Sequence, residues 1–276
     1  MDLCSLRFWR HWAAGVFAVF GALAVVYGVA FALFPNLLSH DRVALAWGGI
    51  AVSLAVGTVR SWPRTIQRSF SSPNMDIRVI QGDLFDQAEH LVIGMCNTFD
   101  TATGDIIDSR SIQGQFLERV MGKDLDRFDR ELSNALASVS STGTIDKPGK
   151  TVQYPVGTVA TIADRDRRYF CVAYTEMNVL NEARASIGGI FDSLESLWRS
   201  VSAHGNGRTV SMAVIGGGQS RISQFLPAQD SIRLTIMSFV FASRREKVCD
   251  GLRILVRPQD YENLDALELQ DFLNSL

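Results

Sequence analysis

Two charge-free runs constrain this chain more than anything else in it. From Trp12 to Ser39 there is no Asp, Glu, Lys or Arg, and from Val43 to Val59 there is again none. Apolar runs of this length have no place on a soluble surface, and they read as membrane spans. Trp12 to Phe34 supplies 23 residues. At ~1.5 Å rise per residue these make about 35 Å of helix, against roughly 30 Å of hydrocarbon. Val43 to Val59 supplies 17 residues, or about 25 Å, and must thin the bilayer slightly or borrow flanking residues. Pro35, Asn36, Ser39, His40 and Asp41 form a short polar turn between them. Residues 1–60 thus read as a transmembrane helical hairpin. A cleavable signal peptide fits less well, because the first apolar core is too long and a second follows.

Flanking charge sets the orientation. Arg7 and Arg10 precede the first run, Arg60, Arg64 and Arg68 follow the second with no acidic residue before Asp76, and the turn has only Arg42. Basic flanks stay cytoplasmic, so both termini and the large domain are expected in the cytoplasm. The reducing compartment suits Cys4, Cys96, Cys171 and Cys249, which lie far apart, form no C-x-x-C and do not cluster with His11, His40, His90 or His204. Neither a zinc site nor a disulfide framework follows. The hairpin has no charged residue at the centre of either helix, which makes it an anchor or an oligomerising element. Gly49, Ser53 and Gly57 repeat at i, i+4, i+8, and Ala14, Ala18, Gly21 and Gly28 share a face. Such faces pack helices within one hairpin or between several chains, and the pattern is the same for both.

Of the 27 basic and 29 acidic residues, the first sixty hold Arg7, Arg10, Arg42 and Arg60 against Asp2 and Asp41, which leaves a net of −4 beyond them. A mildly acidic domain has no footprint for general nucleic-acid binding. Residues 61–74, with Pro63, Pro73 and a Ser-Phe-Ser-Ser stretch, read as a linker, and residues 75–276 as one folded domain. Its expected strands are Ile77–Ile80, Leu91–Met95, Thr158–Ile162, Tyr169–Tyr174, Val210–Ile215 and Leu252–Val256. The expected helices are Gln113–Met121, Leu125–Ser138, Ala183–His204, Asp230–Arg244 and Asn263–Asn274. This alternation predicts an α/β fold, a largely parallel sheet with helices on both faces.

In such sheets ligands bind at the carboxyl ends of the strands. Gln81-Gly82-Asp83-Leu84 follows the first strand, Cys96-Asn97-Thr98 the second, and Gly216-Gly217-Gly218-Gln219-Ser220 the strand ending at Ile215. A glycine run after a strand turns main-chain N–H groups toward an anion such as a diphosphate. It is neither a Walker A loop nor a G-x-G-x-x-G fingerprint. In this order, with Ile93-Gly94-Met95-Cys96-Asn97 and Ile112-Gln113-Gly114, the motifs resemble a macro domain, the α/β/α three-layer module with a mixed sheet that binds ADP-ribose. The resemblance spans Met75 to Val256. It implies that Asp83 accepts from the adenine amine, with Leu84 as a backbone contact, and that Asn97 lies near the distal ribose. It also implies that Ser111, Ile112 and Gly114 form a first phosphate loop and Gly216, Gly217, Gly218, Gln219 and Ser220 a second. Asp83 after a strand also reads as an Asx-turn or helix cap.

Departures from the family pattern bear on chemistry. Where de-ADP-ribosylating members carry an asparagine, a glycine run and an acidic residue, this chain has Gly94, Ser109-Arg110-Ser111 and Gln113. A glutamine amide is a poor general base, so a binding domain is expected rather than an enzyme, with no cofactor and no metal. The altered loop implies a ligand other than plain ADP-ribose, its distal end lined by Arg110, Gln113, Gln115 and Glu176. A membrane hairpin joined to such a domain is similar to the membrane-anchored macro-domain effectors of Thoeris anti-phage defence. That resemblance implies a bacterial inner-membrane, multi-pass protein. Its partner, a TIR-domain protein, makes a soluble ADP-ribose messenger, a histidine conjugate, and capture of the messenger drives homo-oligomerisation, membrane disruption and cell death. The alternatives are a membrane-tethered ADP-ribosyl hydrolase and a scaffold that reads ADP-ribose.

Overall fold

The structure, a computed structural model, describes residues 6–33, 42–61, 65–104, 106–216 and 226–276. The chain divides into two compact units, residues 1–64 with 265–268, and the remainder.

In the first unit, α1 (Leu6–Leu33) and α2 (Arg42–Ser61) run antiparallel. Trp12 Nε1 donates to Thr58 Oγ1 at 3.1 Å. Trp12–Leu33, 22 residues with a mean hydropathy of 2.4, has the length and apolarity of a membrane span or a signal sequence, whereas the apolar stretch of α2, Leu45–Val59, is shorter. The small residues divide in use. Ser53 is buried, and a Cβ on Gly57 would lie 2.3 Å from Val16 Cγ2, so this face packs inside the hairpin. Gly21, Gly28 and Gly49 have no such neighbour within 4 Å.

The second unit begins earlier than expected. The segment read as a linker contributes strand β1 (Ile66–Ser71), which pairs antiparallel with β2 (Asn74–Gln81). Only Ile66 of β1 is fully buried. An edge strand with one solvated face carries little hydrophobic signal. The sheet continues with β3 (His90–Cys96), β6 (Val159–Asp164), β7 (Arg167–Met177), β8 (Ala183–Arg184), β9 (Val210–Ala213) and β10 (Gly251–Val256). The order is β1-β2-β10-β9-β3-β7-β6, with β8 on β7. From β2 to β7 neighbouring strands are parallel, and β1, β6 and β8 pair antiparallel, so the sheet is mixed. Strands β4 (Gly143–Thr144) and β5 (Val152–Gln153) form a separate small hairpin.

Helices α3 (Ile112–Arg119) and α4 (Leu125–Leu136) cover one face. Phe128, Leu132 and Leu136 recur at i, i+4, i+8 and bury against Leu91, Ile93, Ala160, Ile162 and Cys171. Each such side chain contributes about 1.5–3 kcal/mol by burial. Helices α5 (Ile187–His204) and α6 (Ala228–Arg245) pack together through Trp198 and Phe239, edge to face at 5.1 Å. Helix α5 starts four residues later than the periodicity suggests, because Ala183 and Arg184 pair with β7 and Ser186 caps the Gly189 N–H at 3.0 Å. The last expected helix, Asn263–Asn274, corresponds to α8 (Ala266–Ser275), and a short helix α7 (Pro258–Tyr261) precedes it. Gln270 of α8 exchanges hydrogen bonds with the main chain of Gln67 at 3.0 and 3.1 Å, which braces the β1 edge.

Candidate functional site

Because β2, β10, β9, β3 and β7 point the same way, their carboxyl ends share one edge. A cleft of about 910 Å³ opens along it. Across the sheet its floor passes from Leu255 and Arg257 at the end of β10, through Met212–Gly216 at the end of β9 and Gly94–Cys96 of β3, to Tyr174, Thr175 and Met177 of β7. The first turn of α3 forms one wall with Ser111, Ile112 and Gln113, and Ser193, Leu194 and Leu197 of α5 another. The turn between β7 and β8 closes the far end with Asn181 and Glu182.

Two features of this cleft suit an anion. Helix α3 opens into it with its N-terminus, where main-chain N–H groups and the helix dipole attract negative charge. Ser111 caps that turn by accepting from the Gly114 N–H at 3.0 Å. After β9 the chain turns at Gly216 with φ +88°, a left-handed conformation that favours glycine. Gly114 is required for space, since a Cβ there would lie 2.5 Å from the Asp108 carbonyl oxygen and 2.7 Å from Ser109 Cα.

Beneath the wall lies a buried charge pair. Lys147 Nζ reaches Asp100 Oδ2 at 2.8 Å, with both side chains fully buried. Asp100 Oδ1 accepts from the Lys150 N–H at 2.7 Å, and Oδ2 also accepts from Thr98 Oγ1. The Gln113 amide donates to the Asp100 carbonyl, tying the start of α3 to the same network. Burial, together with the nearby Asp100 carboxylate and against hydrogen bonds to Thr98 and Asp100, pushes the Cys96 thiol above its ordinary value. Burial also raises the Tyr174 phenol. Among the described residues no group of three or more His, Cys, Asp or Glu is set to hold a metal.

Residues 77–257 match the family described as Thoeris protein ThsA, Macro domain. The chain belongs to that family. Among solved structures, the Oceanobacillus iheyensis macrodomain with ADP superposes with a TM-score of 0.52 at 12% identity, covering 77% of this chain and 98% of that one. A variant of that macrodomain with ADPR gives 0.52 at 12% identity, over 76% and 100%. The same macrodomain with MES bound gives 0.52 at 12% identity, over 77% and 99%. At this identity the likeness carries the macro-domain fold. No curated protein sequence matches the chain.

Against this macro-domain frame the expected site residues separate. Arg110, Ser111, Ile112, Gln113, Gln115 and Gly216 line the cleft, whereas Gly217, Gly218, Gln219 and Ser220 lie outside the described residues. Asp83 does not line it. Its carboxylate caps the turn Leu84–Asp86 by accepting from the Phe85 N–H at 2.8 Å, and its other oxygen is bound by Arg119. Burial works to raise the Asp83 pKa, but these two partners together hold it below 3.8. The capping role is therefore the one the structure shows. Leu84 is a core side chain. Asn97 is turned into the sheet, accepting from the Met177 N–H at 3.0 Å. Gly114 packs behind the α3 turn. Glu176 is exposed on β7, in register with Arg184 of β8, and does not line the cleft.

Several cleft residues carry no signal in a motif. The Tyr174 ring lies across Gly94, where a Cβ would come within 2.1 Å of its Cε1. At Gly94 the aromatic ring occupies the space that a side chain would take. Asn181 and Glu182 enter from the short polar turn after β7, and Arg257 and Asp260, bonded at 2.8 Å, from the turn after β10. A polar cluster directly after a strand was the available clue for both.

Proposed function

We propose that this protein is a membrane effector of anti-phage defence whose macro domain captures an ADP-ribose-derived messenger. The observation that carries the reading is the cleft itself, in which the α3 N-terminus and the Gly216 turn face one space at the carboxyl edge of the sheet. A diphosphate fits the middle of that cleft, with a nucleoside toward one end and a second group toward the other. Family membership supports an ADP-ribose-type ligand, and α1 supports a membrane anchor. The messenger is a histidine conjugate of ADP-ribose made by a TIR-domain partner. The macro domain faces the cytoplasm below the inner membrane, and binding drives homo-oligomerisation and membrane disruption. Messenger shifts this equilibrium only by binding the assembled state more tightly than the resting one. Gln113 supports a receptor over a hydrolase, since its amide is committed to the Asp100 carbonyl and offers no proton acceptor to a water.

The test is a calorimetric titration of the full chain in detergent with ADP-ribose, its histidine conjugate and NAD, followed by recovery of the ligand and measurement of oligomeric state. Selective binding, intact ligand and a larger assembly support the proposal. A complex of unchanged size removes the oligomerisation step, and turnover of the ligand installs the hydrolase in its place.

A further inference from the structure

Strand pairing breaks its rhythm on the floor of the cleft. Met95 of β3 pairs with Ala173 of β7, and Cys96 with Thr175, so Tyr174 is an extra residue with no partner on β3. An extra residue of this kind re-aims its side chain, and such irregularities gather beside functional sites. The Tyr174 ring swings back over Gly94 of β3, where a Cβ would lie 3.0 Å from both Cδ1 and Cζ. A shifted register on one strand and a missing side chain on its neighbour therefore serve the same placement.

The hydroxyl is the end of this side chain that the protein leaves unused. Tyr174 lines the cleft and is half-buried. Among the described residues none bonds its hydroxyl, and the oxygen is not sealed inside the fold. A tyrosine in such a setting normally finds a hydrogen-bond partner, and here the partner has to come from the cleft. Burial raises the phenol above its ordinary value, which keeps it a neutral O–H donor at neutral pH.

Register places this donor beside the groups that suit an anion. Val92 of β3 pairs with Met212 of β9; Gly94 lies two positions beyond that pair and Gly216 four, on strands ~4.8 Å apart. The ring over Gly94 is thus next to the Gly216 turn, in the cleft that the first turn of α3 walls. Main-chain N–H groups attract any anion, whereas a phenol on a fixed ring adds one directed donor. We propose that Tyr174 is a ligand-binding residue whose hydroxyl donates to a phosphate oxygen of the nucleoside diphosphate held in the cleft. This assignment deepens the messenger reading and rests on it.

The experiment measures affinities of the full chain in detergent for ADP and ADP-ribose, with melting temperatures alongside. Tyr174→Phe removes the hydroxyl and leaves the ring in place. It is expected to weaken both ligands alike, by about tenfold, at an unchanged melting temperature. Gly94→Ala displaces the ring and is expected to weaken the same ligands, adding less than about twofold to Tyr174→Phe, because both changes remove one contact. Where Gly94→Ala fails to fold, Tyr174→Phe decides alone. Wild-type affinity in Tyr174→Phe, a loss confined to ADP-ribose, a loss matched by a lower melting temperature, or fully additive losses in the double variant overturns the assignment and leaves the messenger reading standing. A wild type that binds neither ligand overturns both.

Discussion

At the scale of single residues, polar groups placed where water is absent set both the strengths and the weak points of the domain. Removing Lys147 leaves Asp100 as an unpaired buried charge, so Lys147→Met is expected to cost about 3–5 kcal/mol in denaturant unfolding, and the double variant with Asp100→Leu to recover a large part of that loss. His90 is buried, accepts from the Arg168 N–H at 3.1 Å through Nδ1 and meets the Gly205 carbonyl at 3.0 Å through Nε2. Burial, with Arg208, Arg168 and Arg167 nearby and against the Gly205 hydrogen bond, holds its pKa below 6.5. A depressed folded pKa means that the unfolded chain takes up the proton first. The contribution of His90 is therefore complete above about pH 6.5 and is lost as pH falls through the folded value. Thermal melting between pH 7.5 and 5 should show this loss in the wild type and a shallower one in His90→Gln.

At the scale of elements, two close approaches decide how helices are used. Ser111 satisfies one of the open N–H groups at the start of α3, and Ser111→Ala is expected to destabilise by about 1 kcal/mol. The same change loosens the turn that faces the cleft, so nucleotide affinity should fall along with the melting temperature. In the hairpin, the 2.3 Å approach of a Gly57 Cβ to Val16 Cγ2 leaves no room for a branched side chain. Gly57→Val should separate α1 from α2, seen as loss of a disulfide cross-link engineered between the Trp12 and Thr58 positions. Gly21→Val, at a position with no neighbour within 4 Å, should leave that cross-link intact. If Gly21→Val instead abolishes ligand-driven assembly, the free small-residue face is the one used between chains.

At the scale of the molecule, the boundary between the two units determines what can be cut. A fragment beginning at Met75 loses β1 and exposes the edge of β2, which β1 otherwise occupies from Asn74 to Val79. Unpaired edges recruit other chains. A fragment of residues 65–276 is expected to be monomeric and cooperatively folded in size-exclusion and melting measurements, and one of residues 75–276 to aggregate. The opposite ranking would show that β1 adds nothing to the sheet.

The sequence by itself determined the central strands, because β3 and β7 carry apolar runs buried on both faces and β2 alternates a buried face of Met75, Ile77 and Val79 with a more exposed one. It also determined the apolar character of the first sixty residues and the presence of a helix from Gln113, one residue inside the observed α3, whose cap at Ser111 the structure shows. The edges were less legible. β1 and β8 are polar, half-solvated strands joined to β2 and β7 by short turns, and they carry too few buried apolar residues for periodicity to mark them. The candidate site divided in the same way. Residues tied to a strand end or a cap, such as Ser111, Gln113 and Gly216, were found from motif order. Asp83 and Asn97 stood at matching positions, and tertiary structure engages the Asp83 carboxylate with Arg119 and the Asn97 amide oxygen with the Met177 N–H. Tyr174 and Asn181 line the cleft from the end of β7 and from the turn after it, positions that no motif marks, because which side chains reach the cleft is decided by how strand ends and turns pack together.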